Sequence, residues 1–529
     1  MAMTETRPDA ETETATPDPS PTGGLPRPTG GLAGLLGTGR HRSIGRLWVG
    51  TSLVFLVVSG GIGAALGAER IKPETYNNAG LGKDTLGQAL SLHGVAGVFL
   101  FALPILIGLG TIVVPRQVGA HTIAFPRAAA AAYWAYLIGG SIVVVSYLIN
   151  GGPDGGSQNG VDLFLASLAM VVVALMLGSI CIATTVLTFR VPGMTLARVP
   201  LFAWSMLVAT TIWVVSLGLL FGILVLLYVD HRHRMFVFGP NVQIDEWLRW
   251  TVTQPQVYAF AIPVLGFVGD VVPVFGRTRA RLYGVQLAAI GAFAALSFGA
   301  WTFLQFRHPQ MTQQALYVAA GFAVLLPLLA FTGAVVETLR GGRPRLSSPL
   351  LFAISALLML LAGAAAGALR VVEPFHLVGS TADSSVIHYV LGATAIAAVG
   401  AIHYWWPHVL TRPLQEGLAR LTALVLLLGV ILLSLPDIVS GLLDQPEGSL
   451  YTDVRDGVAA LNGASFAGGL LVLLAVLLFV LNLAVSMARD AEGDAVDPWS
   501  GHTLEWVTDA TGITVSSPSP LLDRDEGEA

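Results

Sequence analysis

The chain has 529 residues, of which 54% are hydrophobic and 12% are charged, and its mean hydropathy is +0.71. This composition excludes an ordinary soluble domain and predicts an integral membrane protein. The net charge of −5 gives no reason to expect a nucleic-acid partner, and the single cysteine, Cys181, excludes a disulfide framework and a multi-cysteine metal site.

The ends of the chain differ from its middle. Residues 1–38 are rich in Pro, Thr, Gly and acidic residues and lack apolar periodicity, so we expect a disordered segment and not a signal peptide. Residues 39–490 contain twelve apolar runs that are each long enough, at about 20 residues, to cross a bilayer. Residues 491–529 are expected to form a polar, acidic tail. The predicted fold is therefore an all-α integral membrane protein, a single bundle of twelve transmembrane helices.

In chain order, the twelve predicted spans lie at about 47–67, 89–115, 128–150, 161–189, 200–229, 251–275, 282–305, 316–338, 348–370, 385–407, 418–436 and 464–487. Basic residues are concentrated before span 1 and in the loops that follow the even-numbered spans up to span 10. They are Arg40, Arg42, Arg46, Arg116, Arg127, Arg190, Arg198, Arg277, Arg279, Arg281, Arg340, Arg343, Arg345, Arg412 and Arg420. Fewer lie in the opposite loops, although Lys72, Lys83, Arg232 and Arg234 reduce the contrast. The positive-inside rule therefore predicts that both termini are cytoplasmic.

Two of the spans contain a histidine a few residues after their start. His93 lies in span 2, in Ser-Leu-His-Gly, and His388 lies in span 10, in Val-Ile-His-Tyr-Val-Leu. These spans run in the same direction, so both side chains should lie at a similar depth, in the outer half of the bilayer. A histidine within a span is costly and usually has a partner or a metal. The placement is consistent with two axial ligands of one heme iron, and equally with hydrogen bonds to neighbouring helices or a wet cavity.

The chain also resembles subunit I of the heme-copper oxidases, in the cytochrome c oxidase branch, from end to end. Separate motifs occur in the family's order across the predicted spans and the C-terminal tail. They are residues 39–69, His93-Gly94, residues 103–108, Val114-Pro115, residues 124–127, Pro255, Val257-Tyr258, Pro263, Gly266, Val272-Pro273, residues 388–391, residues 404–407, residues 497–499 and residues 503–506. The resemblance implies a prokaryotic plasma-membrane protein that works with other respiratory-complex subunits.

In that family, the positions that match His93 and His388 hold the low-spin heme, which only passes electrons. The resemblance therefore implies one bis-histidine heme of b or a type in this chain. Gly67 replaces the arginine that stands near the formyl group of heme a in the family, which fits a heme without that group. A six-coordinate iron with two imidazole ligands has no open position, so it suits electron transfer and not oxygen binding.

Four positions at which the family has ligands of a high-spin heme and a copper ion hold other residues here. The proximal heme ligand would stand two residues before His388, on the opposite face of the helix, where this chain has Val386. The copper ligands would stand at Gln254 and at the adjacent pair Phe303 and Leu304. Valine, phenylalanine and leucine have no lone pair to offer a metal, and a glutamine amide is a weak ligand beside imidazole. We therefore expect neither copper nor an oxygen-reducing centre.

The family's proton routes are also expected to be missing. The matching positions hold groups that do not titrate near neutral pH, namely Thr111, Thr122, Gln256 and Phe331. Asp270 and Glu337 lie near span ends, where we expect them to be solvated. The remaining histidines near the site are expected in loops or in packing, namely His308, His376 and His403.

One further departure concerns the heme propionates. The arginine pair that would bind them after span 11 is replaced by residues 444–447, Asp-Gln-Pro-Glu. Other basic residues would have to take this role, and the candidates are Arg232, Arg234 and Arg249.

These observations predict a heme-binding electron-transfer subunit without a working oxygen-reduction centre. Quinol or cytochrome c is the expected donor, membrane lipid surrounds the chain, and a partner protein at the outer face is the expected acceptor. Three alternatives stay open. They are an active oxidase or nitric oxide reductase with unusual ligands, a heme-free scaffold of a respiratory complex, and an unrelated twelve-span transporter.

Overall fold

The structure is a computed structural model, and twelve apolar helices dominate it. It describes residues 38–71, 83–153, 155–235, 237–238, 244–252, 256–298, 311–410, 413–447, 457–488 and 497–507. The predicted disorder of residues 1–37 therefore lies outside the described residues. From Gly39 onward the chain forms one compact unit. Within the described ranges there is no strand, and an isolated antiparallel bridge joins Ser380 to Pro446.

We number the apolar helices α1 to α12 in chain order. Their bounds are α1 His41–Ile71; α2 in three segments, Lys83–Val95, Ala96–Ala102 and Leu103–Gln117; α3 Pro126–Leu148; α4 Gln158–Thr188; α5 Leu201–His233; α6 Ile262–Gly276, preceded by a 3-10 turn Gln256–Ala261; α7 Tyr283–Ser297; α8 in two segments, Met311–Ala323 and Leu325–Arg340; α9 Ser348–Arg370; α10 Thr381–Leu410; α11 Glu416–Leu442; and α12 Ala459–Ala488. Short helical turns lie at Leu196–Arg198, Ile244–Arg249, Glu373–Phe375 and Leu504–Trp506.

The predicted all-α membrane bundle is confirmed. Eleven of the described helices are long and apolar enough to cross a membrane. The shorter apolar helix α7, Tyr283–Ser297, occupies the start of predicted span 7, and the rest of that span, from residue 299, lies outside the described residues.

The helices divide into a central and a peripheral set. In the most apolar window of each helix, 94% of residues are buried in α2, 100% in the α6 region and 83% in α10, against 33% in α1 and 28% in α12. The peripheral helices expose leucines, as lipid-facing helices do. Leu474, Leu477 and Leu481 on α12 are examples. Both histidine-bearing helices, α2 and α10, are therefore central.

Glycines allow α1 and α2 to approach closely. A Cβ atom on Gly45 would lie 2.8 Å from the carbonyl oxygen of Gly108, and one on Gly108 would lie 2.8 Å from Cβ of Trp48. Small residues at such crossings let two backbones pack directly in a membrane. This contact fixes α1 against the helix that carries His93.

A π-helical turn, Ala96–Ala102, interrupts α2 three residues after His93. Pro104, at the start of the next segment, has no N–H, so it cannot donate the α-helical hydrogen bond to the carbonyl oxygen of Leu100. The hydroxyl of Tyr136 on α3 donates to that oxygen instead, at 2.6 Å. Such turns recur at functional sites in helices, and this one lies directly beside the candidate ligand.

Candidate functional site

The structure brings the imidazole rings of His93 and His388 together between the central helices α2 and α10. Their ring centroids lie 6.3 Å apart, and the ring planes are inclined by 62°. A metal ion between two imidazoles, with metal–nitrogen bonds of about 2 Å, places the ring centroids about 6 Å apart. The observed spacing therefore fits two imidazoles that share one metal ion.

The imidazole of His93 is held by helix α1. Its Nδ1 lies 2.9 Å from the carbonyl oxygen of Ser59 and 3.2 Å from the hydroxyl of the same residue. A hydrogen bond from Nδ1–H to a carbonyl leaves Nε2 unprotonated, which is the tautomer that binds a metal. Gly63, one turn further along α1, leaves room for the ring, because a Cβ atom there would lie 2.8 Å from Cε1 of His93.

The imidazole of His388 is less completely satisfied. Its Nδ1 is buried and has no hydrogen-bond partner among the described residues. Unpaired buried polar atoms are rare and usually indicate a bound group, an ordered water or a functional role. Unlike His93, His388 therefore lacks a protein group that fixes the orientation of its ring, and a group bound in the cavity would supply one.

Both histidines line a cavity of about 1360 Å³. This volume exceeds the roughly 300–1,000 Å³ of ordinary small-molecule sites, so it can accept a large cofactor. The cavity extends to one end of the bundle, which we call the histidine face. This face carries Arg70, residues 244–252 and residues 371–380. Most of the other lining residues are apolar or small, for example Leu56, Gly97, Val98, Phe101 and Leu391.

Three arginines line the cavity near the histidine face, and each has an acidic partner. Arg70 donates twice to Asp437, at 2.8 and 3.2 Å, and the Asp437 side chain is only 1% exposed. Arg370 pairs with Asp383.

The third of these arginines, Arg249, lies at the mouth of the cavity. It donates to Glu447 at 2.9 Å and to Asp245 at 2.8 Å. Burial raises the pKa of Glu447, against the opposing effect of Arg249. Together the three arginines bring positive groups to the end of the cavity where the anionic substituents of a heme could be bound.

These positions revise the candidates for binding heme propionates. Of the three named from the sequence, only Arg249 lines the cavity. Arg232 pairs with Asp162, at 3.1 Å, on α4. Arg70 and Arg370 were missed, although each is the basic residue in the last turn of its helix, which is a signal that the sequence contains.

The region of the expected second metal centre is partly described. Val386 is buried at the cavity wall. Gln256 is buried and donates from Nε2 to the hydroxyl of Ser216 at 2.9 Å. Gln254, Phe303 and Leu304 lie outside the described residues. In the part of the chain that the structure describes, no three His, Cys, Asp or Glu side chains come together as a metal site.

Other residues singled out from the sequence have clear positions. His403 is buried in packing between Phe352 and Phe479, and His376 lies in an exposed turn, both as predicted. Glu337 is 44% exposed, also as predicted. The prediction that Asp270 is solvated is wrong, because it is only 7% exposed. His308 lies outside the described residues.

The fold and the site together define a class, a many-helix membrane protein whose central helices present a histidine pair to a large cavity. A family model described as "Cytochrome C and Quinol oxidase polypeptide I" matches residues 43–494. The chain therefore belongs to this family, subunit I of the heme-copper oxidases, whose members bind heme.

Relatives of known sequence and structure agree with this assignment. The chain is 28% identical to a putative cytochrome c oxidase subunit 1-beta of Streptomyces avermitilis, over 92% of this chain and 91% of that one. It is 28% identical to cytochrome c oxidase subunit 1 of Bacillus subtilis, over 91% and 79%. A heme-copper terminal oxidase dimer solved by cryo-EM shares the fold, with a TM-score of 0.70 at 15% identity over 86% of each chain.

Proposed function

We propose that this chain binds one low-spin heme between His93 and His388 and passes electrons within a respiratory complex. The observation that carries the proposal is the facing histidine pair, at 6.3 Å, in a cavity large enough for the cofactor. An iron with two imidazole ligands has both axial positions filled, so the heme supplies electron transfer and not oxygen chemistry.

The residues around the cavity would orient the ligands and bind the substituents of the heme. The Ser59 carbonyl orients the His93 ring and selects its tautomer. Gly63 leaves room for that ring. Arg70, Arg249 and Arg370 are the groups available for the anionic substituents, and their acidic partners limit how much positive charge they present.

We further propose that the chain does not reduce oxygen. Val386 supports this, because it is buried where the family has a heme ligand and its side chain has no lone pair. Gln256 supports it too, because an amide cannot relay a proton near neutral pH. The residues at Gln254, Phe303 and Leu304 support the proposal from the sequence alone.

The expected partners follow from the family and from the position of the site. The family description includes cytochrome c and quinol oxidases, so we expect the electron donor to be either cytochrome c or a quinol. Other subunits of the complex would accept electrons at the histidine face, where the cavity ends. We place the chain in a bacterial plasma membrane with both termini in the cytoplasm, as the distribution of arginines predicts.

The test is an optical spectrum of the purified full-length protein, with heme extraction and counting of iron and copper. One low-spin heme without copper supports the proposal. Two hemes with copper and oxygen turnover would indicate an active oxidase, and no heme would indicate a scaffold. Both of these results contradict the proposal.

A matched pair of variants assigns the ligands. His388→Ala should abolish the bis-imidazole spectrum. His403→Ala, on the same helix and buried outside the cavity lining, should retain it. If both variants keep the spectrum, His388 is not a ligand.

A further inference from the structure

The C-terminal part of the described chain packs against the end of the bundle opposite the histidine face. We call residues 497–507 the C-terminal latch. Trp506 donates from its indole to the hydroxyl of Tyr404 at 3.1 Å, and Trp499 donates to the main-chain oxygen of Tyr404 at 3.1 Å. Trp499 also contacts the ring of Phe275. The latch therefore joins α10 to α6.

The latch places a second carboxylate beside Asp270. Glu505 accepts a hydrogen bond from Nε2 of Gln117 at 3.0 Å, and Asp270 accepts one from the same nitrogen at 2.8 Å. Gln117 is 0% exposed and Glu505 3%. Two carboxylates this close and this deeply buried cannot both be ionised without strong repulsion.

The two carboxylates differ in the hydrogen bonds that they accept. Asp270 accepts from Gln117 and from the main-chain N–H groups of Leu201 and Phe202, at 2.9 and 3.1 Å. The last two lie at the start of α5, where the helix dipole also favours an anion. Three N–H donors favour the ionised form of a carboxylate over its neutral form.

Glu505 has a different pattern. Its Oε1 accepts from Gln117 and from the indole of Trp405, at 3.0 and 3.1 Å, whereas its Oε2 is buried and receives no main-chain or side-chain N–H among the described residues. The hydroxyl of Thr503 is the polar group beside this carboxyl, and a hydroxyl can accept a hydrogen bond from a protonated acid. An oxygen without an N–H donor fits a neutral carboxylic acid better than a carboxylate. Burial raises the pKa of Glu505.

Other charged and titratable groups surround the pair. Arg116 on α2 carries a positive charge that favours the ionised form of Glu505. Tyr404 on α10 lies near both carboxylates, and Asp497 within the latch lies near Tyr404. The group that contacts both carboxylates directly is Nε2 of Gln117.

We infer that Asp270 and Glu505 form a proton-binding site, in which one proton from bulk water is bound to Oε2 of Glu505 and holds the C-terminal latch against the bundle. When that O–H bond breaks, the proton returns to bulk water and the latch gains a negative charge beside Asp270. This site is separate from the histidine cavity and does not depend on a bound heme.

The direction of the pH effect follows from linkage. The docked latch binds a proton more tightly than a free glutamate does, so docking is strongest at low pH and weakens as pH rises toward the docked pKa of Glu505. In that range one proton is released per undocking step, and the docking constant changes by up to about tenfold per pH unit.

Hydrogen–deuterium exchange of the full-length protein in detergent measures this effect. The amides of Trp506 and Val507 are hydrogen-bonded within the latch and report its docking. After correction for intrinsic exchange, their protection should fall as the pH rises from 5 to 8, by up to about tenfold per pH unit. In Glu505→Gln, which cannot ionise, protection should be independent of pH. The control Glu337→Gln, at an exposed glutamate, should behave as wild type.

The wild-type experiment alone can overturn the inference, since it needs no variant to fold. Protection that is constant from pH 5 to pH 8, or that rises with pH, contradicts it. So does a pH dependence that persists in folded Glu505→Gln. Loss of the carbonyl stretch of a protonated carboxylic acid in the infrared spectrum of Glu505→Gln, but not of Glu337→Gln, would support the assignment to Glu505. Its retention would oppose that assignment.

Discussion

Replacing Gly63 by alanine tests whether the space around His93 matters. The new Cβ atom would lie 2.8 Å from Cε1 and 3.3 Å from Nδ1 of His93, closer than side chains normally pack. The ring would have to move, and its hydrogen bond to Ser59 restricts that movement. Overpacking of this kind costs about 1–3 kcal/mol.

Gly61 provides the matched control. It lies on the same helix, and an added Cβ atom there would meet nothing within 4 Å. Both alanine variants gain about 1 kcal/mol of helix propensity, so their difference isolates the clash with His93. The part of about 1–3 kcal/mol that falls on the heme-bound state alone weakens heme affinity, by at most approximately 5- to 150-fold, and the part that falls on both states lowers the unfolding temperature.

The measurement combines heme occupancy, from reduced-minus-oxidised spectra, with thermal unfolding of heme-free protein. Gly63→Ala should lose heme and unfold at a lower temperature than Gly61→Ala. Equal stability and equal heme content in the two variants would refute the role given to Gly63. A stability difference without any heme in either variant would support the packing argument and contradict the proposed cofactor.

Two further substitutions test the buried polar contacts. Arg70→Met leaves Asp437 buried and unpaired, so it should lower the free energy of unfolding in detergent by about 3–5 kcal/mol, and the double variant Arg70→Met/Asp437→Leu should recover most of that loss. A single-variant loss below about 1 kcal/mol would show that the pair is not buried as described. Tyr136→Phe removes the donor to the π-helical turn of α2 and should cost about 1 kcal/mol, measured in the same way, while unchanged stability would contradict that contact.

The sequence was sufficient to predict the helices and the similar depth of the two histidines, whereas their pairing was predicted from the resemblance to the oxidase family. Apolar runs of membrane-spanning length define the helices directly. Each histidine lies near the start of a span, and both spans run in the same direction, so a similar depth follows from counting residues. Counting residues does not show that α2 and α10 are neighbours.

Contacts between distant parts of the chain were not predictable in this way. Asp270 was expected to be solvated because it lies near a span end, but the C-terminal latch covers it, and its neighbour Glu505 is far away in sequence. Arg70 likewise forms an ion pair with Asp437, which is far away in sequence. Hydrophobic periodicity shows which face of a helix is buried, but it does not identify the polar residue that a buried charged side chain contacts.

The π-helical turn in α2 makes the direction of one candidate ligand depend on how a single turn is wound. The segment after it, Leu103–Gln117, is almost fully buried and cannot rotate freely. The π turn accommodates one more residue than an α-helical turn does. If the same residues wound as an ordinary α-helix, everything before them would therefore rotate by about 100°. His93 would then face away from His388, although no residue that touches either imidazole had changed. In this helix, the winding of one turn therefore sets the geometry of the site, and the π turn is the winding that directs His93 toward His388.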